Sequence, residues 1–357
     1  MSEEIVYYDS AQRERHAAQV AGRKIVVIGG GTGLSTLLLG LKEYTHNITA
    51  IVTVTDDGGS SGMLRREFGI LPPGDIRNCI HALARTGGLL APLLDHRFNG
   101  GSLKNQNFGN LLLLALNEIS GSFTEAVENM SKILAITGRV LPVTEENVML
   151  RATFDDGSTV VGETSITQTK RINQKNIQKM ELVPAAPAPL NAVIEAIREA
   201  EVIILGPGSL YTSVLPNLLV DGVAEAIENS NAIKFYIMNL MTQSGETENC
   251  SALDHLHILQ RHTGKKLVDY CIYNTQRINH RLMDKYAREG CEQLMPQEED
   301  FFEANVKGFG GQLLSHESKF VRHDPLRSAY FIMKILNEIA PRDGFLGAYD
   351  RHLLKQE

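Results

Sequence analysis

The run Ile25-Val26-Val27-Ile28 followed by Gly29-Gly30-Gly31-Thr32-Gly33 constrains this chain more than any other feature. Four consecutive β-branched residues without alternation read as a strand covered on both faces, the pattern of a parallel sheet. The glycines supply a tight turn, and Leu34, Leu37, Leu38 and Leu41 then recur at helical spacing. A second apolar segment over 48–55 follows after Thr45-His46-Asn47. Strand, glycine turn, helix and strand in this order form a βαβ unit, whose crossover is almost always right-handed.

The alternation returns further along. A strand over 202–205 enters Gly206-Pro207-Gly208-Ser209, a helix over 221–229 leads to a strand over 233–238, and a helix around 251–262 leads to one over 267–272. Two helical patterns, 103–119 and 123–134, follow one another with no strand between them. From Arg139 to Val183 the period changes to two, and Asp156-Gly157 marks the tip of a two-strand hairpin. Pro184, Pro187 and Pro189 lead back into the core, and the C-terminus after Pro325 is helical. The expectation is an α/β fold, Rossmann-like and doubly wound. Its sheet is mainly parallel, with a helical pair and a β-hairpin insertion at about 139–183. The nucleotide-binding domain runs over 23–340, between a polar tail at 1–22 and a C-terminal tail at 341–357.

Charge narrows the function classes. With 35 Lys and Arg against 42 Asp and Glu, the net charge of −7 argues against coating nucleic acid, which needs a surplus of cations. Cys79, Cys250, Cys271 and Cys291 show no C-x-x-C spacing, so neither a zinc site nor a disulfide framework is expected. The apolar runs are too short for a membrane span and the N-terminus is polar, which points to a cytoplasmic protein. Glycine is the outlier, at 31 residues against 12 Pro. It concentrates where strands run into helices.

Those crossings carry the candidate chemistry. At Gly29, Gly30, Gly31, Thr32 and Gly33, free N–H groups and the positive end of a helix dipole converge, which suits a phosphate. The dinucleotide fingerprint is incomplete because Leu34 stands at its last position, and the Walker pattern is absent. Thr55-Asp56-Asp57-Gly58-Gly59-Ser60-Ser61-Gly62 ends the second strand at the sheet's carboxyl edge, where open α/β folds bind ligands. Asp56 and Asp57 could hold a divalent ion, with Mg²⁺ the candidate, or accept from sugar hydroxyls. A turn explains them equally well, as it does the second Asp-Asp-Gly at 155–157.

Asp75 reads as the N-cap of a helix. Arg77 sits in its first turn, where a cation opposes the dipole unless an anion is near. Gly206, Gly208, Ser209, Tyr211 and Thr212 repeat the strand-to-glycine logic, and residues 239–247 add a third polar loop. Asn110, Tyr286 and the triplet Arg322-His323-Asp324 are further polar candidates, each by itself compatible with packing or a surface position.

Taken in order, Gly-Gly-Gly-Thr-Gly-Leu (29–34), Thr-Asp-Asp-Gly-Gly-Ser-Ser-Gly (55–62), Pro-Pro-Gly-Asp-Ile-Arg (72–77), Phe-Gly-Asn (108–110), Gly-Pro-Gly-Ser-Leu-Tyr-Thr-Ser (206–213), Met-Thr-Gln-x-Gly-Glu-Thr (241–247) and Arg-His-Asp (322–324) resemble the gluconeogenesis factor family, YvcK type, over about 23–340. The resemblance implies a CofD-like fold related to the phospholactate transferase of deazaflavin-coenzyme biosynthesis. It also implies binding of UDP-sugars such as UDP-N-acetylglucosamine and a role in cell-envelope morphogenesis during gluconeogenic growth. It places Gly29–Gly33, Asp56 and Asp57 in the shared cleft, matches Asn110 to the Phe-Gly-Asn motif and Gly206–Thr212 to the second loop, and gives Tyr286 and Arg322 as the late positions suited to a nucleotide or sugar. Where relatives have Gly-His-Ser before Phe-Gly-Asn, this chain has Asn105-Gln106-Asn107, so that histidine has no counterpart. Pro325 likewise stands where a phosphorylatable hydroxyl would follow Arg-His-Asp.

The reading is a cytoplasmic regulatory protein that binds a UDP-sugar or another nucleotide diphosphate, with a homodimer as candidate assembly. A CofD-like transferase using a nucleotide-diphosphate-linked substrate with Mg²⁺ is the alternative. An NAD-dependent oxidoreductase ranks third because the third fingerprint glycine is missing.

Overall fold

The computed structural model describes residues 22–85, 89–316 and 318–341. Its strands are β1 (Ile25–Gly29), β2 (Ile48–Val52), β3 (Arg139–Pro142), β4 (Met149–Phe154), β5 (Thr159–Val161), β6 (Ile177–Val183), β7 (Val202–Leu205), β8 (Ile233–Ile237), β9 (Tyr270–Asn274) and β10 (Lys307–Gly311). Seven of them form one sheet in the order β10-β9-β8-β7-β1-β2-β3, every neighbouring pair parallel. β1 lies between β2 and β7, Ile25 facing both Ile48 and Val202 in register, and it is buried throughout.

The chain travels outward from β1 through β2 to β3, then returns to β7 and travels the other way through β8, β9 and β10. Strand order therefore reverses between β1 and β7, where such a sheet opens a crevice at its carboxyl edge. Right-handed crossovers in opposite directions place their helices on opposite faces. On one face Gly31–Leu41 packs against Gly74–Leu83 and Pro325–Ile339. On the other, Leu215–Leu218 packs against Val223–Asn229 and Ala252–Thr263. The side chains of Val27, Ile51, Ile204 and Phe235 are fully buried between these layers. Each contributes on the order of 1.5–3 kcal/mol by leaving water.

Three expectations are corrected. Arg139–Pro142 is not part of the insertion: it pairs with β2 and closes one edge of the main sheet. The insertion proper is a three-stranded antiparallel sheet, β5-β4-β6, with a helix at Glu163–Asn173. The hairpin turns at Gly157 (φ +81°), as its Asp-Gly sequence requires, and β6 adds the third strand. The first member of the helical pair begins at Phe108, not at 103, because Asn105 is left-handed (φ +69°) and Asn107 caps the helix by accepting from the Asn110 N–H at 3.0 Å. Asp75 is not an N-cap. It lies inside the first turn of Gly74–Leu83, whose cap position is Pro73.

Apart from Gly22, the N-terminal tail lies outside the described residues, as does all but Pro341 of the C-terminal tail. Among the described residues no helix is long and apolar enough to cross a membrane.

Candidate functional site

The first glycine loop leaves β1 at the strand-order reversal. Gly30 is extended, Gly31 is left-handed (φ +66°), and the Gly31–Leu41 helix starts at once, so its first N–H groups lack intrahelical partners. The second loop leaves β7 through Gly206 (φ +76°) and passes into a single π-turn at Leu210–Val214, a distortion frequent at functional sites. The two loops touch. A Cβ on Gly33 would lie 2.5 Å from the Pro207 carbonyl oxygen, so only glycine permits this approach.

Asn217, fully buried, ties the loops from below: its Nδ2 donates to the carbonyls of Gly29 (3.1 Å) and Ser213 (2.8 Å). The third polar loop clamps the second. The Gly208 N–H donates to Asn239 Oδ1 (3.4 Å), Gln243 Nε2 donates to Ser209 Oγ (2.8 Å) and Thr212 Oγ1 donates to Glu246 Oε1 (3.1 Å).

Between these loops lies a cavity of about 440 Å³. Gly30, Gly31, Thr32, Gly33, Gly208 and Ser209 line it, together with Tyr286 and Arg322 from the far end of the chain. The Tyr286 hydroxyl accepts from the Val321 N–H at 3.2 Å, which holds the segment carrying Arg322. The Arg322 guanidinium lies 5.4 Å from the Phe320 ring centre. His323 also lines the cavity. Burial lowers its pKa to about 4, so the imidazole is neutral near pH 7. Arg171 completes the lining from the insertion helix, which leaves Arg171 and Arg322 as its permanently charged cations, against Glu289. Backbone donors, two guanidiniums and an aromatic ring form a recognition set for phosphate next to a planar or sugar group.

The other expected residues lie beside or behind the cavity. Asp75 accepts from the Gly31 N–H, yet burial first, and then the nearby Asp56 charge, raise its pKa to about 6. Burial likewise raises Asp56, and it raises Glu163 further, with Asp56 and Glu246 adding to the effect. Glu246, buried under the π-turn, is pushed up to about 7 by desolvation. Asp57 is bound to the insertion: its Oδ1 accepts from the Thr164 N–H (3.0 Å) and Oγ1 (2.6 Å) at the start of the insertion helix. Asp56 Oδ1 instead accepts from the Gly58 N–H at 2.9 Å. Each of the two adjacent carboxylates thus has one oxygen engaged by a donor of the chain itself, and among the described residues no group of three or more His, Cys, Asp or Glu is gathered to hold a metal ion.

Ser60, Gln106 and Asn110 form a buried network, with Ser60 Oγ donating to Gln106 Oε1 (2.7 Å) and accepting from Asn110 Nδ2 (3.2 Å). Ser61 Oγ accepts from the Gly74 N–H at 3.1 Å. The anion expected near Arg77 is Asp95, at 2.8 Å. Tyr211 is buried and faces a separate cavity on the other side of the π-turn.

Sequence reasoning missed Arg171 and Glu163, both inside a stretch read as β-structure. The helical run Glu163–Asn173, with an acidic first turn and Lys170 and Arg171 in its last, is the signal that could have exposed them.

Comparison with known proteins identifies the relatives of this architecture. The family model for 2-phospho-L-lactate transferase CofD matches residues 25–314. A protein from Clostridium acetobutylicum is 48% identical over 305 residues, covering 85% of this chain and 68% of its own. The gluconeogenesis factor of Bacillus subtilis is 42% identical over 316 residues, covering 88% of this chain and 98% of its own. This chain belongs to the CofD-like gluconeogenesis factor family. The family fold is borne out by the crystal structure of a UPF0052-family protein from Bacillus halodurans, with a TM-score of 0.84 and 43% identity over 87% of this chain and 99% of that one.

Proposed function

We propose that this family member is a cytoplasmic regulatory protein that binds a UDP-sugar, UDP-N-acetylglucosamine being the first candidate, and that it supports envelope morphogenesis during growth on gluconeogenic carbon. One observation carries the reading: two glycine loops meet at the strand-order reversal around a cavity of about 440 Å³ that Tyr286, Arg171 and Arg322 complete. Loop N–H groups and the arginines would take the diphosphate, and the remaining polar lining would take the nucleoside and sugar. The volume lies within the range of small-molecule sites. The name gluconeogenesis factor, carried by relatives such as the Bacillus subtilis protein, supports the physiological half of the reading.

The alternative, a transferase acting on a nucleotide-diphosphate-linked substrate with Mg²⁺, draws on the CofD match. Asp56 Oδ1 and Asp57 Oδ1 each already accept from donors of the chain, which leaves fewer free oxygens for a cation. Calorimetric titration with UDP-N-acetylglucosamine, GDP and NADH, each with and without Mg²⁺, separates the readings. Saturable binding of the UDP-sugar without metal is expected. Silence towards UDP-sugars overturns the proposal, and strictly metal-dependent binding with turnover transfers support to the transferase. Arg322→Ala should weaken UDP-sugar binding about tenfold or more while leaving the melting temperature in place.

A further inference from the structure

The insertion helix Glu163–Asn173 meets the α/β body along one face at successive turns. Thr164 donates twice to Asp57 Oδ1, at 3.0 and 2.6 Å. One turn on, Thr167 lies so close to Gly245 that a Cβ there would stand 2.6 Å from the Thr167 carbonyl oxygen. Next, Lys170, 6% exposed, forms an ion pair with Glu248 at 3.1 Å. The following residue is Arg171, which lines the cavity together with both glycine loops. The helix is thus fixed in both rotation and translation at the point where it delivers a guanidinium to the cavity.

We infer that Arg171 is a ligand-contact residue for the diphosphate, paired with Arg322, and that Asp57 is a positioning residue that acts through the insertion helix. The inference rests on the nucleotide-sugar reading for the identity of the whole ligand, but the group it assigns to Arg171 is the diphosphate alone. A guanidinium presents paired N–H donors that match phosphate oxygens, and one at each side of a diphosphate neutralises it without a metal. The glycine loops cannot do this, because their N–H groups carry only partial charge. Asp57 fits the anchoring role because its carboxylate oxygen already accepts two hydrogen bonds from Thr164.

The test titrates the full chain with UDP-N-acetylglucosamine and, separately, with inorganic pyrophosphate. Arg171→Ala should weaken both ligands about tenfold to a hundredfold, the loss of a charge-assisted contact, with Arg171→Lys recovering part of it. The side chain is exposed, so the melting temperature should stay with the wild type. Asp57→Ala should weaken binding by a smaller factor, and Asp57→Asn, which keeps an oxygen to accept from Thr164, should stay near wild type. In an Arg171→Ala background Asp57→Ala should cost almost nothing more.

Unchanged affinity of Arg171→Ala for both ligands overturns the contact. A loss in Asp57→Asn as large as in Asp57→Ala overturns the anchor, because the charge itself would then be needed. If the wild type takes pyrophosphate through Arg171 but ignores UDP-sugars, the nucleotide-sugar reading falls and the Arg171 assignment stands. If it takes neither, both fall.

Discussion

Gly33 rests on the carbonyl of Pro207: a Cβ added to Gly33 would stand 2.5 Å from that oxygen and 3.2 Å from the Gly208 nitrogen. The contact joins the loop after β1 to the loop after β7, two strands that are neighbours in the sheet and far apart in sequence. It makes one cradle out of two turns. The opposing atoms are backbone, so a side chain at position 33 has nothing flexible to displace.

Gly33→Ala should therefore separate the loops. The expected cost is about 1–3 kcal/mol of stability, typical of an overpacked site. Affinity for UDP-N-acetylglucosamine should fall further than stability does, since the donors of both loops must converge on one ligand. Chemical denaturation and calorimetry on the same preparation check the pair of effects. Wild-type values in both would show that the loops are free to part.

Asn217 supports the same cradle from beneath. Its amide donates to Gly29 and Ser213, one carbonyl from each side, in a fully buried position. Asn217→Ala leaves two acceptors short of a donor and should cost about 2–4 kcal/mol in urea unfolding. Asn217→Asp should be worse near neutral pH, because it faces the same carbonyls with negative charge.

Much of this was legible because it is local. β1, its glycine turn and the Gly31–Leu41 helix follow from β-branching, missing Cβ atoms and leucine spacing, none of which depends on distant partners. Tyr286 and Arg322 could not be placed at the cavity by any periodicity. The sequence marks them only as late polar candidates that the family resemblance supports, and their position depends on how the segments after β9 and β10 fold back. The partner of Asp57 is invisible in the sequence for the opposite reason: its neighbour Asp56 suggests a shared task, whereas the donor on its Oδ1 is Thr164, 107 positions away. Arg77, whose place in the first turn of a helix calls for an anion, finds one in the chain's own Asp95.

Glu246 makes stability depend on pH in a stated direction. Burial raises its pKa from 4.5 to about 7, so between those values the native state holds a proton that the unfolded chain has released. Stability from this group is fully present below about pH 4.5 and is lost as pH rises through 7. Asp75, raised from 3.8 to about 6, adds a slope of the same sign over a lower window. Glu246→Gln keeps an oxygen for the Thr212 hydroxyl and cannot ionise. It should match the wild type at pH 5 and exceed it by about 1 kcal/mol or more at pH 8. Urea midpoints at the two pH values decide: an equal gap at both would mean that the carboxyl does not titrate in this window.

Tyr286 offers the cavity both a ring and a hydroxyl, and the hydroxyl is engaged, accepting from the Val321 N–H at 3.2 Å. Its effect on ligand binding should therefore pass through the next residue, Arg322. Tyr286→Phe keeps the ring and removes one hydrogen bond of ordinary strength, so UDP-N-acetylglucosamine affinity should drop about twofold to tenfold. Tyr286→Ala also removes the aromatic surface and should cost more. In an Arg322→Ala background, Tyr286→Phe should change affinity little, because the segment it steadies no longer carries a guanidinium. A full loss in that background would instead place the Tyr286 hydroxyl on the ligand itself, and the two outcomes are separable by calorimetry on four variants.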